Sequence, residues 1–419
     1  MNVTEALAYI HGRPKGGKKN SMARMAALLK TLGHPETLLP PSFHVTGTNG
    51  KGSTATMLSA IGQAAGKRVG LFTSPYIVRF NDRFQINGED ISDSDLARYT
   101  KRVSAAAAQV TADSGGELVP TEFEAVTAIM FCYFAEEELD LAVIEVGIGG
   151  RFDSTNLLQS TAVSVVTSIA LDHQAMLGDS LFSIAKQKAG IIKDEKPVVL
   201  GPRISGPAKR VLEEEAALKE APLILAGPKN GRRQDGQFYR SALHGSFQED
   251  NLQTAVAAYL ALDPNTTPEV IQTGLDRAFL PGRFEKVWAE NETRPTVYLD
   301  GAHNPAGLKA LQQTVDQNVK EQVILCVAGL ADKELISGLK PLAKDERIEL
   351  VTLSYMGLPG RPALAKEDYQ KAGLINLAFD RLDQVLEYAK QQGKALVFTG
   401  SLYFIADVRR HLCQTKKKF

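Results

Sequence analysis

The chain has 419 residues, of which 44% are hydrophobic and 23% charged, with 48 basic side chains against 48 acidic ones. That length exceeds one ordinary core and predicts two domains, while the neutral balance argues against an electrostatic nucleic-acid surface. Cys132, Cys326 and Cys413 are far apart and form no C-x-x-C pair, so neither a disulfide framework nor a zinc site is expected, which fits a reducing cytoplasm.

The opening M-N-V-T-E-A-L-A-Y-I carries Glu5 early and has no signal-like apolar core. No apolar run approaches a membrane span; even L-A-V-I-E-V-G-I is interrupted by Glu145. Residues 3–12 and 21–32 read as helices around G-R-P-K-G-G-K-K-N, a loop that can meet an anion or simply be solvated. Next comes H-V-T-G-T-N-G-K-G-S-T, His44–Thr54. The apolar run Phe43–Val45 enters it, and Leu58, Ile61 and Ala65 at helical spacing leave it. A strand, a glycine-rich turn, a lysine, hydroxyls and a helix form a phosphate cradle. Gly47, Gly50 and Gly52 let backbone N–H groups face anionic oxygens, Lys51 adds charge, and Ser53 or Thr54 offers a hydroxyl. The common G-x-x-x-x-G-K-[ST] pattern does not fit, since Val45 stands for its first glycine and Gly52 separates Lys51 from Ser53. A strand–turn–helix corner with glycines for packing is the plainer alternative. Three glycines, a lysine and two hydroxyls in one turn favour phosphate.

Val69–Thr73 reads as a strand ending in Ser74-Pro75, and 93–113 as a helix capped by Ser92 or Asp93. T-E-F-E, Thr121–Glu124, opens a mostly apolar helix to about Glu136. L-A-V-I-E-V and A-V-S-V-V-T are near-continuous apolar strands, the second leading to A-L-D-H-Q; Ile184–Ile192 reads as helix and P-V-V-L-G as strand. Strands apolar on both faces and alternating with helices predict a parallel, doubly wound α/β sheet in a P-loop NTPase-like N-terminal domain. Ligands bind beyond the carboxyl ends of such strands, where Gly47, Ser74, Gly147 and Asp172-His173 fall. Asn251–Leu262 reads as helix, and P-G-R-F follows another. The polar stretch Ala289–Pro295 breaks periodicity and reads as the linker, giving domains 1–294 and 295–419. The second is a smaller Rossmann-like α/β domain, with T-V-Y-L-D-G-A-H-N-P as strand into loop and V-I-L-C-V-A-G, L-V-T-L-S-Y and A-L-V-F-T-G-S-L-Y as further strands. The Lys416–Lys418 tail reads as a solvated charge run.

Glu145 inside an apolar strand is costly to bury unless it is salt-bridged or binds a cation. His173 is by itself an unremarkable histidine, and Lys186 and Lys188 read as solvated helix lysines. Ser74, Glu145 and His173 at neighbouring strand ends would form a magnesium site beside nucleotide phosphates. Asp300 and His303 sit in a strand-to-helix loop, a ligand-facing place. These residues reach an enzyme that uses ATP and magnesium and leave its substrate open.

Taken in order, F-H-V-T-G-T-N-G-K-G-S-T, T-S-P-Y-I-V-R-F-N-D-R, T-E-F-E, V-I-E-V-G-I-G-G-R-F-D-S-T-N, A-L-D-H-Q-A-M-L-G, I-A-K-Q-K-A-G-I-I-K, P-G-R-F-E, D-G-A-H-N-P and T-G-S-L-Y resemble the folylpolyglutamate synthase/dihydrofolate synthase family of the Mur-ligase superfamily. The G-K-G-S form is that family's own. The resemblance implies that ATP phosphorylates a folate carboxylate and that the amino group of L-glutamate displaces the phosphate. It implies that Asn49, Gly50, Lys51, Gly52, Ser53 and Thr54 hold ATP, and that Ser74, Glu145 and His173 bind magnesium. It further implies that Lys188 is carbamylated and serves a second magnesium ion. Asn251, Arg283 and Asp300 fall around the nucleotide, and His303, Ser401 and Tyr403 near glutamate. The resemblance gives Lys51, Glu145, His173, Lys188, Asp300 and His303 the catalytic roles. Tyr76 and Phe247 depart from the family pattern at positions that can shape the nucleotide or pteridine pocket. A reduced folate is the expected acceptor. Dihydropteroate as sole or second acceptor, a nucleotide-binding relative without chemistry, and a P-loop kinase are the alternatives. A monomer without membrane or nucleic-acid partners is expected.

Overall fold

The computed structural model describes residues 1–15, 22–233, 236–245, 247–291, 294–331, 334–358 and 361–415. Lys416–Lys418 and most of the loop at 12–20 therefore lie outside the described residues. The chain forms two compact units, one of residues 1–242 with 249–278 and one of 243–248 with 279–419.

In the first unit the strands are β1 (Ser42–Thr46), β2 (Val69–Phe72), β3 (Phe84–Ile86), β4 (Glu89–Asp90), β5 (Leu141–Glu145), β6 (Thr161–Val166), β7 (Val198–Leu200) and β8 (Leu223–Leu225). Their order is β4-β3-β2-β5-β1-β6-β7-β8. From β2 to β8 every pairing is parallel, whereas β3 and β4 add an antiparallel edge. The inner strands β1, β5 and β7 are buried at every residue, which is why they read as unbroken apolar runs.

Helices α1 (Val3–His11), α2 (Met22–Thr31), α3 (Lys51–Ala64), α4 (Asp93–Asp113), α5 (Glu122–Glu136), α6 (Gln174–Leu177), α7 (Leu181–Ala189), α8 (Gly206–Leu218), α9 (Gln248–Leu262) and α10 (Pro268–Arg277) accompany this sheet. α5 is apolar all round and buried from Glu124 to Phe134, as a helix packed on several sides must be. Its start is the T-E-F-E stretch, where Thr121 caps Glu124 N and Glu124 reaches back to Thr121 N at 2.8 Å. Glu124 also takes two hydrogen bonds from Arg24 of α2, at 3.0 and 3.1 Å. α3 is buried from Gly52 to Gly62, and α10 crosses it at Gly274, where a Cβ would lie 2.5 Å from Ile61 Cα. Only glycine permits that approach. α7 begins at Leu181, earlier than the expected Ile184, because Ser180 and Ser183 cap each other.

The second unit contains β9 (Glu285–Trp288), β10 (Val297–Leu299), α11 (Pro305–Asn318), β11 (Val323–Val327), α12 (Leu335–Leu342), β12 (Ile348–Leu353), the small pair β13 (Gly357–Leu358) and β14 (Arg361–Pro362), α13 (Lys366–Lys371), β15 (Leu377–Phe379), α14 (Leu382–Gln391), β16 (Ala395–Thr399) and α15 (Leu402–Thr415). The sheet order is β15-β12-β11-β16-β10-β9, parallel except for β9. The expected linker at Ala289–Pro295 joins β9 to β10, antiparallel neighbours of this sheet, so the division falls before β9 rather than at 294/295. A polar connection inside one sheet has the composition of a linker, and sequence cannot tell the two apart. Cys132 and Cys326 are both fully buried among apolar side chains.

Candidate functional site

The carboxyl ends of β2, β5, β1 and β6 lie side by side, and each delivers part of the site. From β1 the chain turns through Gly47 (φ 154°) and Gly50 (φ 88°) into α3. Both positions demand glycine. A Cβ on Gly47 would lie 1.9 Å from Thr167 Oγ1, and one on Gly50 would lie 2.1 Å from Asn251 Oδ1. α3 has no side-chain cap at Gly50, so its first-turn N–H groups are the natural donors to an anion.

The turn is latched to the segment after β6. Thr167 Oγ1 and Ser168 Oγ donate to Asn49 O at 2.6 and 2.8 Å, and Thr48 N donates to Ser168 O at 2.9 Å. Lys51 Nζ folds back onto Gly47 O (3.1 Å) and Thr48 O (3.4 Å). Gly47, Thr48 and Lys51 share a small pocket with Gly147, Ile148 and Gly149 after β5, with Asp172, His173 and Leu177 after β6, and with Lys188 of α7.

Lys188 is 3% exposed, which overturns its expected reading as a solvated lysine. Burial, then the charge of Lys51, drives its pKa well below the usual lysine range, with Asp172 and Asp153 pulling the other way. Burial thus disfavours the charged form of its amine. His173 takes a left-handed backbone (φ 50°) as the residue before α6, and its N–H donates to Asp172 Oδ1 at 2.8 Å.

Glu145 pairs in register with Val45 of β1, and its Oε2 accepts from Ser74 N at 3.1 Å. Ser74 Oγ accepts from Arg83 at 3.1 Å, and Arg83 lies over the Tyr76 and Phe80 rings, 5.2 and 5.3 Å from their centroids. Ser74 and Glu145 are thus joined directly, while His173 and Lys188 share the pocket. Among the described residues no three His, Cys, Asp or Glu side chains form a metal-binding group. The expected magnesium set contains only two such side chains. The rest of its donors are a hydroxyl and Lys188, which can ligate only once its nitrogen carries an anionic oxygen. Of these donors, the carboxylate and the hydroxyl are the hard oxygen ligands that a magnesium ion takes.

Behind the pocket, Asp153 is buried and accepts from Ile148 N (2.9 Å), Thr155 N (3.0 Å) and Thr155 Oγ1 (2.6 Å); desolvation raises its pKa against these bonds. Thr155 Oγ1 also meets His44 Nε2 at 2.9 Å, and burial, aided by Lys193, lowers the His44 pKa to about 3. Sequence reasoning missed Thr167 because its partner Asn49 lies 118 residues away, and missed Arg83 and Asp153 because their local hydrogen bonds leave no periodic signal.

In the second unit, Asp300 follows β10 and is buried. It accepts from Phe284 N and Ala302 N, each at 2.9 Å, and desolvation raises its pKa while Arg283 opposes. Arg283 lies over Gly301, where a Cβ would meet its Nη1 at 2.7 Å. His303 Nδ1 is 2.9 Å from Gly301 O. Ser401 and Tyr403 follow β16, which neighbours β10, and Gly400 N donates to Ala302 O at 2.9 Å. Arg283, Asp300 and His303 therefore share one loop cluster, with Ser401 and Tyr403 after the adjoining strand.

Residues 282–402 match the Mur ligase, glutamate ligase domain family. The chain is 35% identical to the dihydrofolate synthase/folylpolyglutamate synthase of Bacillus subtilis strain 168, over 97% of this chain and 98% of that protein. It belongs to the folylpolyglutamate synthase/dihydrofolate synthase family. The folylpolyglutamate synthase of Lacticaseibacillus casei, another member, is 36% identical over 98% of this chain and 99% of its own. A solved family structure, a folylpolyglutamate synthase complex with AMPPCP and folate, superposes with a TM-score of 0.83 at 34% identity, covering 98% of this chain and 100% of that one. The α/β architecture and the two-unit organisation are those of the family.

Proposed function

We propose that this protein is an ATP-dependent ligase that adds L-glutamate to the γ-carboxyl group of a reduced folate through an acyl phosphate. The observation that carries the reading is the latched Gly47–Lys51 cradle with Asp172, His173 and the buried Lys188 around it. Family membership and the complex of a relative with an ATP analogue and folate support it.

In this reading the N–H groups of Asn49–Ser53 and Lys51 bind the triphosphate and hold it in line with the acceptor carboxylate. A carboxylate oxygen attacks the γ-phosphorus and the bond to the β-phosphate oxygen breaks, releasing ADP. The neutral amine of glutamate then attacks the acyl carbon. The tetrahedral intermediate collapses, expelling phosphate and a proton to leave the amide. Asn251 packs against Gly50 and completes the nucleotide side, with Arg283 and Asp300 assigned to the nucleotide and His303, Ser401 and Tyr403 to glutamate.

Ser74, Glu145, His173 and a carbamylated Lys188 would hold magnesium, which when bound neutralises phosphate charge. A buried lysine whose charged form is disfavoured suits carbamylation: the nitrogen of its unprotonated form bonds to the carbon of CO2 and a proton leaves. The reading carries with it a monomer in the cytoplasm, to be checked by sedimentation and cell fractionation. No helix among the described residues is long and apolar enough to cross a membrane.

The deciding experiment measures phosphate release from ATP, magnesium and L-glutamate with either a reduced folate monoglutamate or dihydropteroate. Release with the folate and a product one glutamate heavier supports the reading. Release with dihydropteroate alone would replace it by dihydrofolate synthesis, and release with both would make the enzyme bifunctional. No release with either would overturn it.

A further inference from the structure

We propose that Asn156 is a positioning residue that sets where the Lys188-bearing end of α7 sits in the phosphate pocket. This rests on the role given to Lys188 above.

The last carbonyls of a helix have no partners within it and must find them elsewhere. In α7, Lys188 O and Ala189 O take Ile191 N and Ile192 N, at 3.3 and 3.0 Å, and the turn after β5 serves the carbonyls on either side of them. Arg151 N donates to Gln187 O at 2.7 Å. Asn156 Nδ2 donates to Gly190 O at 2.9 Å and to Arg151 O at 3.2 Å, tying both sides of the junction to one amide. On its other side, Asn156 Oδ1 and main-chain O accept from Lys193 Nζ at 2.9 and 3.0 Å. The amide orientation is unambiguous, because the two carbonyls can only accept and the ammonium can only donate.

The junction itself has no slack. A Cβ on Gly150 would lie 2.9 Å from Gln187 O and 3.1 Å from Lys188 O, and one on Gly190 would lie 2.5 Å from Arg151 Cα. Lys188 is one residue from a carbonyl held by this turn, and its side chain is buried in the pocket. Without the Asn156 amide, Gly190 O and Arg151 O lose their common donor and the end of α7 can shift from Gly150. A displacement of about 1 Å is enough to cost about a hundredfold in rate. Asn156 touches none of the pocket-lining groups through its own amide, so it acts through the two elements it joins, the turn at Gly150–Arg151 and the end of α7 that carries Lys188.

The test compares full-length Asn156→Ala and Asn156→Asp with wild type, with Val103→Ala, a core truncation in α4, as a destabilised control. Asn156→Asp keeps the Lys193 contact and loses both donated bonds. We expect both Asn156 variants to lose about tenfold or more in kcat with the glutamate KM within about threefold of wild type. Amides of residues 187–191 should exchange faster in both, whereas Val103→Ala keeps wild-type kcat and exchange there. Asn156→Ser, which can still donate to one carbonyl, carries the comparison if Asn156→Ala does not fold. Wild-type kcat in a folded Asn156 variant, or kcat losses that follow Tm across all variants including Val103→Ala, would overturn the inference. If Lys188→Ala itself retains activity, the role of Lys188 is what fails; an inactive Lys188→Ala beside a fully active Asn156→Ala removes the positioning inference alone.

Discussion

Replacing Gly47 by alanine tests whether the phosphate turn is held by its latch to Thr167. The new methyl meets two obstacles. At φ 154° an alanine backbone is strained, by about 1–3 kcal/mol. Its Cβ would also lie 1.9 Å from Thr167 Oγ1, so that hydroxyl must leave Asn49 O, at a further cost of about 1 kcal/mol. The total, about 2–4 kcal/mol, is a large part of the stability of an ordinary domain and still leaves it folded in the cold. The single tryptophan, Trp288, lies in β9 of the second unit, so urea unfolding of the first is followed by circular dichroism. Thr167→Ala alone should cost about 1 kcal/mol. Combined with Gly47→Ala it should cost nearly nothing more, because the hydroxyl has already been displaced. The cycle should therefore show a coupling of about 1 kcal/mol. Additivity within about 0.4 kcal/mol would refute the argument.

Other residues make separate predictions. Lys51→Met should lower kcat by about a hundredfold or more at saturating ATP while leaving Tm within a few degrees, as for the loss of one donor to a transferring phosphoryl group; steady-state kinetics with a thermal melt decides it. The His44 pKa falls from its ordinary 6.5 to about 3 on folding, so below pH 6.5 the unfolded chain takes up a proton that the folded one refuses. Stability is then lost progressively from pH 6.5 toward 3, by about 1.4 kcal/mol at pH 5.5, and His44→Gln should flatten that part of the urea-midpoint profile. Glu124→Ala strands Arg24, which is only 11% exposed, and should cost about 3 kcal/mol with a clear fall in Tm. A melt unchanged from wild type would show that the pair contributes nothing.

The inner parallel strands were legible because burial on both faces leaves an unbroken apolar run, as in β5 and β16. The phosphate turn was legible because its glycines, lysine and hydroxyls are contiguous. Groups whose partners lie far along the chain were not. Arg24 meets Glu124 across 100 residues and Thr167 meets Asn49 across 118, and no periodicity records such contacts. For Lys188 the residue pattern and the family resemblance pointed to different places, the one to solvent and the other to the site. On a helical wheel it is a solvated cation, and only the docking of α7 on Gly150 buries it. β9 was missed because a four-residue edge strand, E-K-V-W, has no signature apart from the neighbour it pairs with.

The way Lys51 folds onto its own turn bears on which anions the cradle retains. Its ammonium gives two of its three N–H donors to Gly47 O and Thr48 O and keeps one for an arriving anion. A chloride or a single carboxylate can take that one charge-assisted contact. A polyphosphate returns several at once, from the ammonium and from the first turn of α3 together. The number of oxygens an anion presents thus sets how firmly the turn can hold it.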